Sequence, residues 1–167
     1  VIKDLETAVT WSNCPDSLRI LYAEWLEGQA GNTAQAMAVL EQANAQQSSM
    51  AANLKIAEMA LKHDQAGRFR RAAEEIKQAV KARREDESLS TDDLMILANL
   101  LLLEQNSQSA REAAQEGLSR SPNDPRFLRL ISEAYRIEYL TSITNKGGQT
   151  SVNLSLLDAA LKTDPTN

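Results

Sequence analysis

The chain repeats itself, and this limits its fold more than any other feature. Ile56, Met59, Ala60, His63, Ala72, Ile76 and Ala79 return 38 residues later as Leu94, Leu97, Ala98, Leu101, Ala110, Ala114 and Gly117. The recurrence extends in both directions. Upstream, Ile20, Ala23 and Leu26 fit the first half of the unit once one residue is inserted, and Ala36, Leu40 and Ala43 fit the second half. Downstream, Leu128, Ile131, Ser132 and Tyr135 fit the first half. Gly148, Leu157, Ala160, Leu161 and Pro165 fit the second after an insertion of about nine residues. A unit this short cannot bury its own apolar face. Stacked neighbours must bury it together.

The units read as helices. Pro15, Pro122, Pro125 and Pro165 lie in short polar stretches, and Gly28, Gly31, Gly67, Gly147 and Gly148 mark further turns. Only Gly117 falls inside an otherwise helical pattern. Between these marks Ala, Leu, Glu, Gln, Lys and Arg dominate, all strong helix formers. An aromatic content of 4% and the scarcity of β-branched runs argue against sheets. Apolar residues recur at steps of three and four. The pattern predicts an all-α chain of seven to nine helices, each of about 10 to 16 residues, joined by short turns. Glycine turns alternate with proline or polar turns, which suggests helix pairs. With 43% hydrophobic and 25% charged residues over 167 positions, the composition suits a folded domain rather than a disordered one.

Small residues take fixed places in this frame: Ala23, Ala60, Ala98 and Ser132 in each first helix, and Ala36, Ala72 and Ala110 in the second, with Asn153 at the fourth such place. With the large apolar residues beside them, these positions resemble the tetratricopeptide repeat family, whose helix-turn-helix unit reads W-x2-L-G-x2-Y, then A-x3-F, then P. No repeat here carries the opening aromatic. The spacings of the second-helix small residues are 36, 38 and about 43, against the family's usual 34. The resemblance implies a right-handed α-solenoid of antiparallel helix pairs. Its repeats fall at about 15–48, 53–86, 91–124 and 125–167, and residues 1–14 form the end of a preceding repeat. The chain opens Val-Ile-Lys and stops at "ALKTDPTN", where a further first helix would begin, so a piece of a longer array is expected.

One segment, "LMILANLLLL" from Leu94 to Leu103, is apolar at nine of its ten positions. It is about half the ~20 residues needed to cross a bilayer. Asp92, Asp93 and Glu104 flank it, so no membrane insertion is expected. Wound as a helix, Leu94, Leu97, Ala98 and Leu101 form one stripe, read as the seam within the repeat. Met95, Ile96, Asn99, Leu102 and Leu103 form a second. That second stripe either packs on neighbouring repeats or stays partly open to hold a partner, since exposed apolar patches usually mark binding sites.

In the family, first helices line a concave groove. The resemblance therefore implies groove-facing positions at Leu54, Ala57 and Leu61, at Met95, Asn99 and Leu102, and at Arg126, Arg129 and Glu133. Some family members grip a peptide's terminal carboxylate with lysine, arginine and asparagine on successive first helices. Asn99 with Arg126 or Arg129 matches part of that set. Ala57 and Leu61, or Ile20 and Glu24, stand where the rest would be, so an apolar groove with a basic end is expected rather than a full clamp.

Other chemistry finds little support. The net charge of -5 and pI near 5.0 offer nothing global to nucleic acid or an anionic membrane. "GRFRRAAEEIKQAVKARRE" is basic, but Glu74 or Glu75 can pair with Lys77 or Arg71, and Phe69 is its only aromatic, so no stacking platform for bases exists. One histidine, His63, and one cysteine, Cys14, assemble no metal site, disulfide framework or catalytic triad. His63 reads as a partly buried core residue, Cys14 as an ordinary thiol, and Trp11 and Trp25 as packing between helices. "TNKGGQTS" lacks the order of a phosphate loop, and Asn153-Leu-Ser155 is a weak glycosylation sequon in a predicted helix. No cofactor and no metal are expected. The function expected is non-catalytic binding of a protein or peptide segment. The alternative is a structural spacer or self-assembly module that associates through its repeat ends. No signal-like stretch is visible, and the sequence leaves the compartment open.

Overall fold

The computed structural model describes residues 2–11, 14–29, 32–46, 48–144 and 154–163. Among these, 84% are helical and none is in a strand. The described helices are α1 (Ile2–Val9), α2 (Asp16–Gly28), α3 (Thr33–Gln46), α4 (Met50–Lys62), α5 (Ala66–Glu85), α6 (Thr91–Leu103), α7 (Ser107–Arg120), α8 (Pro125–Thr144) and α9 (Leu154–Thr163). They group into two compact units, Val1–Ala79 and Val80–Asn167, with α5 running through the boundary. In the first unit α2 packs against α1, α3 and α4, and α3 also packs against α4. In the second, α7 packs against α6 and α8, α8 against α9, and α6 also against α8.

Helix starts follow from local side chains. Ser49 accepts from the Ala52 amide at 3.2 Å and opens α4. Ser90 accepts from the Asp93 amide at 3.1 Å while the Asp93 carboxylate accepts from the Ser90 amide at 2.9 Å, a reciprocal cap on α6. Buried Asp93 also pairs with Arg83 at the end of α5. Asn106 accepts from the Ser109 amide to open α7. Asp124 accepts from the Arg126 amide at 2.9 Å, and Pro125 takes the first helical position of α8, where its missing N–H costs nothing.

Helix ends depart from the expected glycine turns. Asp64, Glu87 and Gln105 each sit just past a helix with φ of 55°, 56° and 59°. In each case the next amide reaches back to close the last turn: Gln65 to Ala60 O, Ser88 to Arg83 O and Asn106 to Leu101 O, at 2.8 to 2.9 Å. Three left-handed caps therefore use residues other than glycine. Gly67 lies inside the first turn of α5, with open space where a Cβ would stand.

The small-residue frame coincides with the core. Ala23, Ala36, Ala60, Ala72, Ala98, Ala110 and Ser132 are all no more than 2% exposed. Asn153 lies outside the described residues, as do the glycine pair at 147 and 148 and the loop around them. Gly117 has a specific role. A Cβ there would lie 2.2 Å from Cζ of Phe127, whose ring is fully buried, so the absent side chain is what admits the ring at the start of α8.

Three sequence readings are corrected. His63 ends α4 at the surface, its side chain partly covered with Nε2 3.5 Å from both Glu27 and Thr33 Oγ1, and is not part of the core. Trp11 is 58% exposed in the turn after α1 and does not pack between helices, whereas Trp25 stacks on Tyr22 at 5.9 Å between ring centroids. Leu100, assigned to neither stripe, is fully buried, while Leu97 is only half-buried.

Candidate functional site

The second unit carries an open cleft of about 440 Å³ between α6 and α8, lined by Met95, Asn99, Leu102, Arg126, Arg129, Leu130 and Glu133. Helix α6 brings Met95, Asn99 and Leu102 to one side because positions 95, 99 and 102 step by four and three along one face. Helix α8 brings Arg126, Arg129, Leu130 and Glu133 to the other side by the same steps. Gly117 and Phe127 fix the start of α8, and Arg111 of α7 holds its middle by a forked pair to Glu138 at 2.7 and 2.9 Å.

Each lining group has a defined state. Leu102 and Leu130 are 9% and 8% exposed and form the apolar floor, while Met95 is half-buried at the rim. Asn99 Nδ2 donates to the Met95 carbonyl at 2.9 Å, which fixes the amide's orientation and leaves Oδ1 as an acceptor. Arg126 is held by Asp124 at 2.8 Å and by Asp92 of α6 at 3.5 Å. Arg129 is exposed and forms no ion pair among the described residues. Hydrogen bonds from Arg136 hold Glu133 below the usual carboxylate range. Partial burial opposes that shift, and the charges of Arg136 and Arg129 add to it. At neutral pH the cleft thus presents an apolar floor, one unpaired guanidinium, one amide acceptor and one carboxylate already engaged.

Six of the nine groove positions from the sequence meet in this cleft. The other three do not form a counterpart in the first unit. Ala57 is fully buried and cannot touch a partner. Its methyl is too short to reach the surface from a position where α2 and α3 both cover α4. Leu54 is half-buried, and Leu61 is 48% exposed beside a separate small cavity with Ala60, Gln65 and Phe69. Leu130 was missed because an apolar residue beside Arg129 reads as ordinary core. Only the pairing of α6 with α8 shows that it floors a cleft.

Among the described residues no cluster of His, Cys, Asp and Glu could hold a metal ion, and no helix is long and apolar enough to cross a membrane. No protein-family model, curated protein or solved structure matches the chain.

Proposed function

We propose that the chain is a right-handed solenoid of tetratricopeptide-like helix pairs that binds a peptide or protein segment without chemical change. The site is the cleft between α6 and α8. The observation that carries this reading is the convergence of six spaced residues, Met95, Asn99, Leu102, Arg126, Arg129 and Glu133, on one open cleft with an unpaired arginine at its rim. The solenoid is supported by contacts between alternate helices, α2 with α4 and α6 with α8, which stacked pairs produce. A bound segment places an apolar side chain over Leu102 and Leu130, gives a backbone N–H to Asn99 Oδ1, and sets a carboxylate against Arg129. Nucleic acid fits poorly, because Asp92, Asp124 and Glu133 crowd the same rim and repel phosphates.

Selection of a random peptide library on the chain, followed by anisotropy titration of the purified winners, tests this. The winners carry an apolar residue next to a carboxylate. Met95→Glu and Arg129→Glu each weaken them at least about tenfold, or ~1.4 kcal/mol. Unchanged affinity in both variants overturns the site. A second reading, a self-assembling spacer, is favoured by Trp11 and Leu21, which are 58% and 53% exposed. That reading requires a dimer that Leu21→Glu dissolves.

A further inference from the structure

The first unit holds a second cleft, of about 300 Å³, lined by residues of α3, α4 and α5 and separate from the groove positions discussed above. Asn53 lies at its base and is 2% exposed. Its orientation follows from a chain of hydrogen bonds. The Ser49 amide can only donate, and it donates to Asn44 Oδ1 at 3.1 Å. Asn44 must therefore present Nδ2 to Asn53, and does so to Asn53 Oδ1 at 2.6 Å. Asn53 is left with Nδ2 turned the other way, and among the described residues no acceptor meets it. Among the described residues no buried side-chain nitrogen or oxygen is both sealed and unpaired, so this donor opens into the cleft.

Two charged groups beside it are also unengaged. Arg71 and Glu75, one helical turn apart on α5, form no ion pair with each other or with another described residue, contrary to the pairing their spacing suggests. Arg68 and Glu41, by contrast, neutralise each other at 3.2 Å. The cleft thus offers a buried amide donor, a free cation, a free anion and a small apolar floor of Ala45, Ile56 and Ala72.

We propose that this cleft binds the head group of an amino acid, its carboxylate against Asn53 Nδ2 and Arg71 and its ammonium against Glu75. A dianion such as phosphate is disfavoured by Glu41 and Glu75, and a sugar by the lack of any aromatic ring in the lining. The volume lies at the small end of ligand sites and suits one residue rather than a length of peptide.

NMR titration of the full ¹⁵N-labelled chain tests the site, with L-leucine, acetate and methylammonium as probes. L-leucine shifts the Asn53 side-chain amide resonance saturably, with Kd below about 10 mM. Acetate binds at least about tenfold more weakly and methylammonium does not shift it. The surface variants Arg71→Gln and Glu75→Gln each weaken L-leucine about tenfold or more, and Glu74→Gln, outside the cleft, leaves it unchanged. A non-saturable response to L-leucine, an equal response to acetate, or an unchanged affinity in Arg71→Gln overturns the proposal. In the first of those cases the cleft holds water only.

Discussion

In the first unit, Glu24 and Glu27 of α2 reach Lys55 and Lys62 of α4, each pair at 2.9 Å, and Lys55 also meets Glu58 at 3.4 Å. In the second unit, α6 and α8 share one such pair, Asp92 with Arg126 at 3.5 Å. The Lys55 side chain is only 17% exposed, so its stem covers apolar surface while its head pairs at the rim. Its burial penalises the charge, but Glu24 and Glu58 outweigh that and raise its pKa. Across α6, Met95 and Asn99 are too short or uncharged to bridge to α8, and a cleft remains. Alternate helices are therefore joined differently in the two units: two short ion pairs link α2 to α4, whereas one longer pair links α6 to α8 and a cleft lies open between them.

Substitutions at four positions break or sharpen this contrast. Gly117→Ala strikes hardest, because its methyl meets the Phe127 ring that seats α8. After a helix-propensity gain of ~1 kcal/mol, overpacking still costs about 2 kcal/mol net, read by urea denaturation. The same variant displaces Arg129 from Met95 and weakens any cleft ligand. Asp93→Asn keeps the shape of the α6 cap but removes the charge facing Arg83, and costs about 1 kcal/mol by the same assay. Gln105→Gly relieves the left-handed residue after α6 and stabilises the chain by about 1 kcal/mol; Gln105→Val does the reverse. Smallest is the effect of the α2–α4 ion pairs themselves. Lys62 is 67% exposed, and Lys62→Gln changes stability by a few tenths of a kcal/mol.

That last pair has a pH signature. The hydrogen bond from Lys62 holds Glu27 below its ordinary 4.5, with burial opposing and the charges of Lys62 and Lys55 assisting. Because the folded pKa is depressed, Glu27 contributes its full stabilisation above pH 4.5. It loses it as pH falls from there through the folded value. The stability gap between wild type and Glu27→Gln therefore closes under acid, and a gap that widens would contradict the pairing.

The all-α character and the sealed positions were legible because the sequence is periodic. The places of Ala23, Ala60, Ala98 and Ser132 marked where helices approach closely, and those positions are sealed. The "LMILANLLLL" run resolves as half core, with Leu94, Ala98, Leu100, Leu101 and Leu102 buried and the other five residues, Met95 and Asn99 among them, half-buried. What stayed hidden depends on the neighbouring helix. A repeat frame gives the direction of a side chain from its own helix axis, not how deeply the next helix covers it, so Ala57 and Met95 read alike and differ in exposure. Left-handed caps at Asp64, Glu87 and Gln105 carried no glycine to announce them. The reason for Gly117 lies ten residues away, at Phe127.

The central claim is that the Met95 face of α6 is open recognition surface, covered neither by the chain itself nor by a second copy. Sedimentation equilibrium combined with urea unfolding of wild type and Met95→Glu tests it most directly. The account predicts two monomers whose unfolding free energies agree within about 0.5 kcal/mol. A variant that loses about 2 kcal/mol or more, or a wild-type dimer that the variant dissolves, would contradict it.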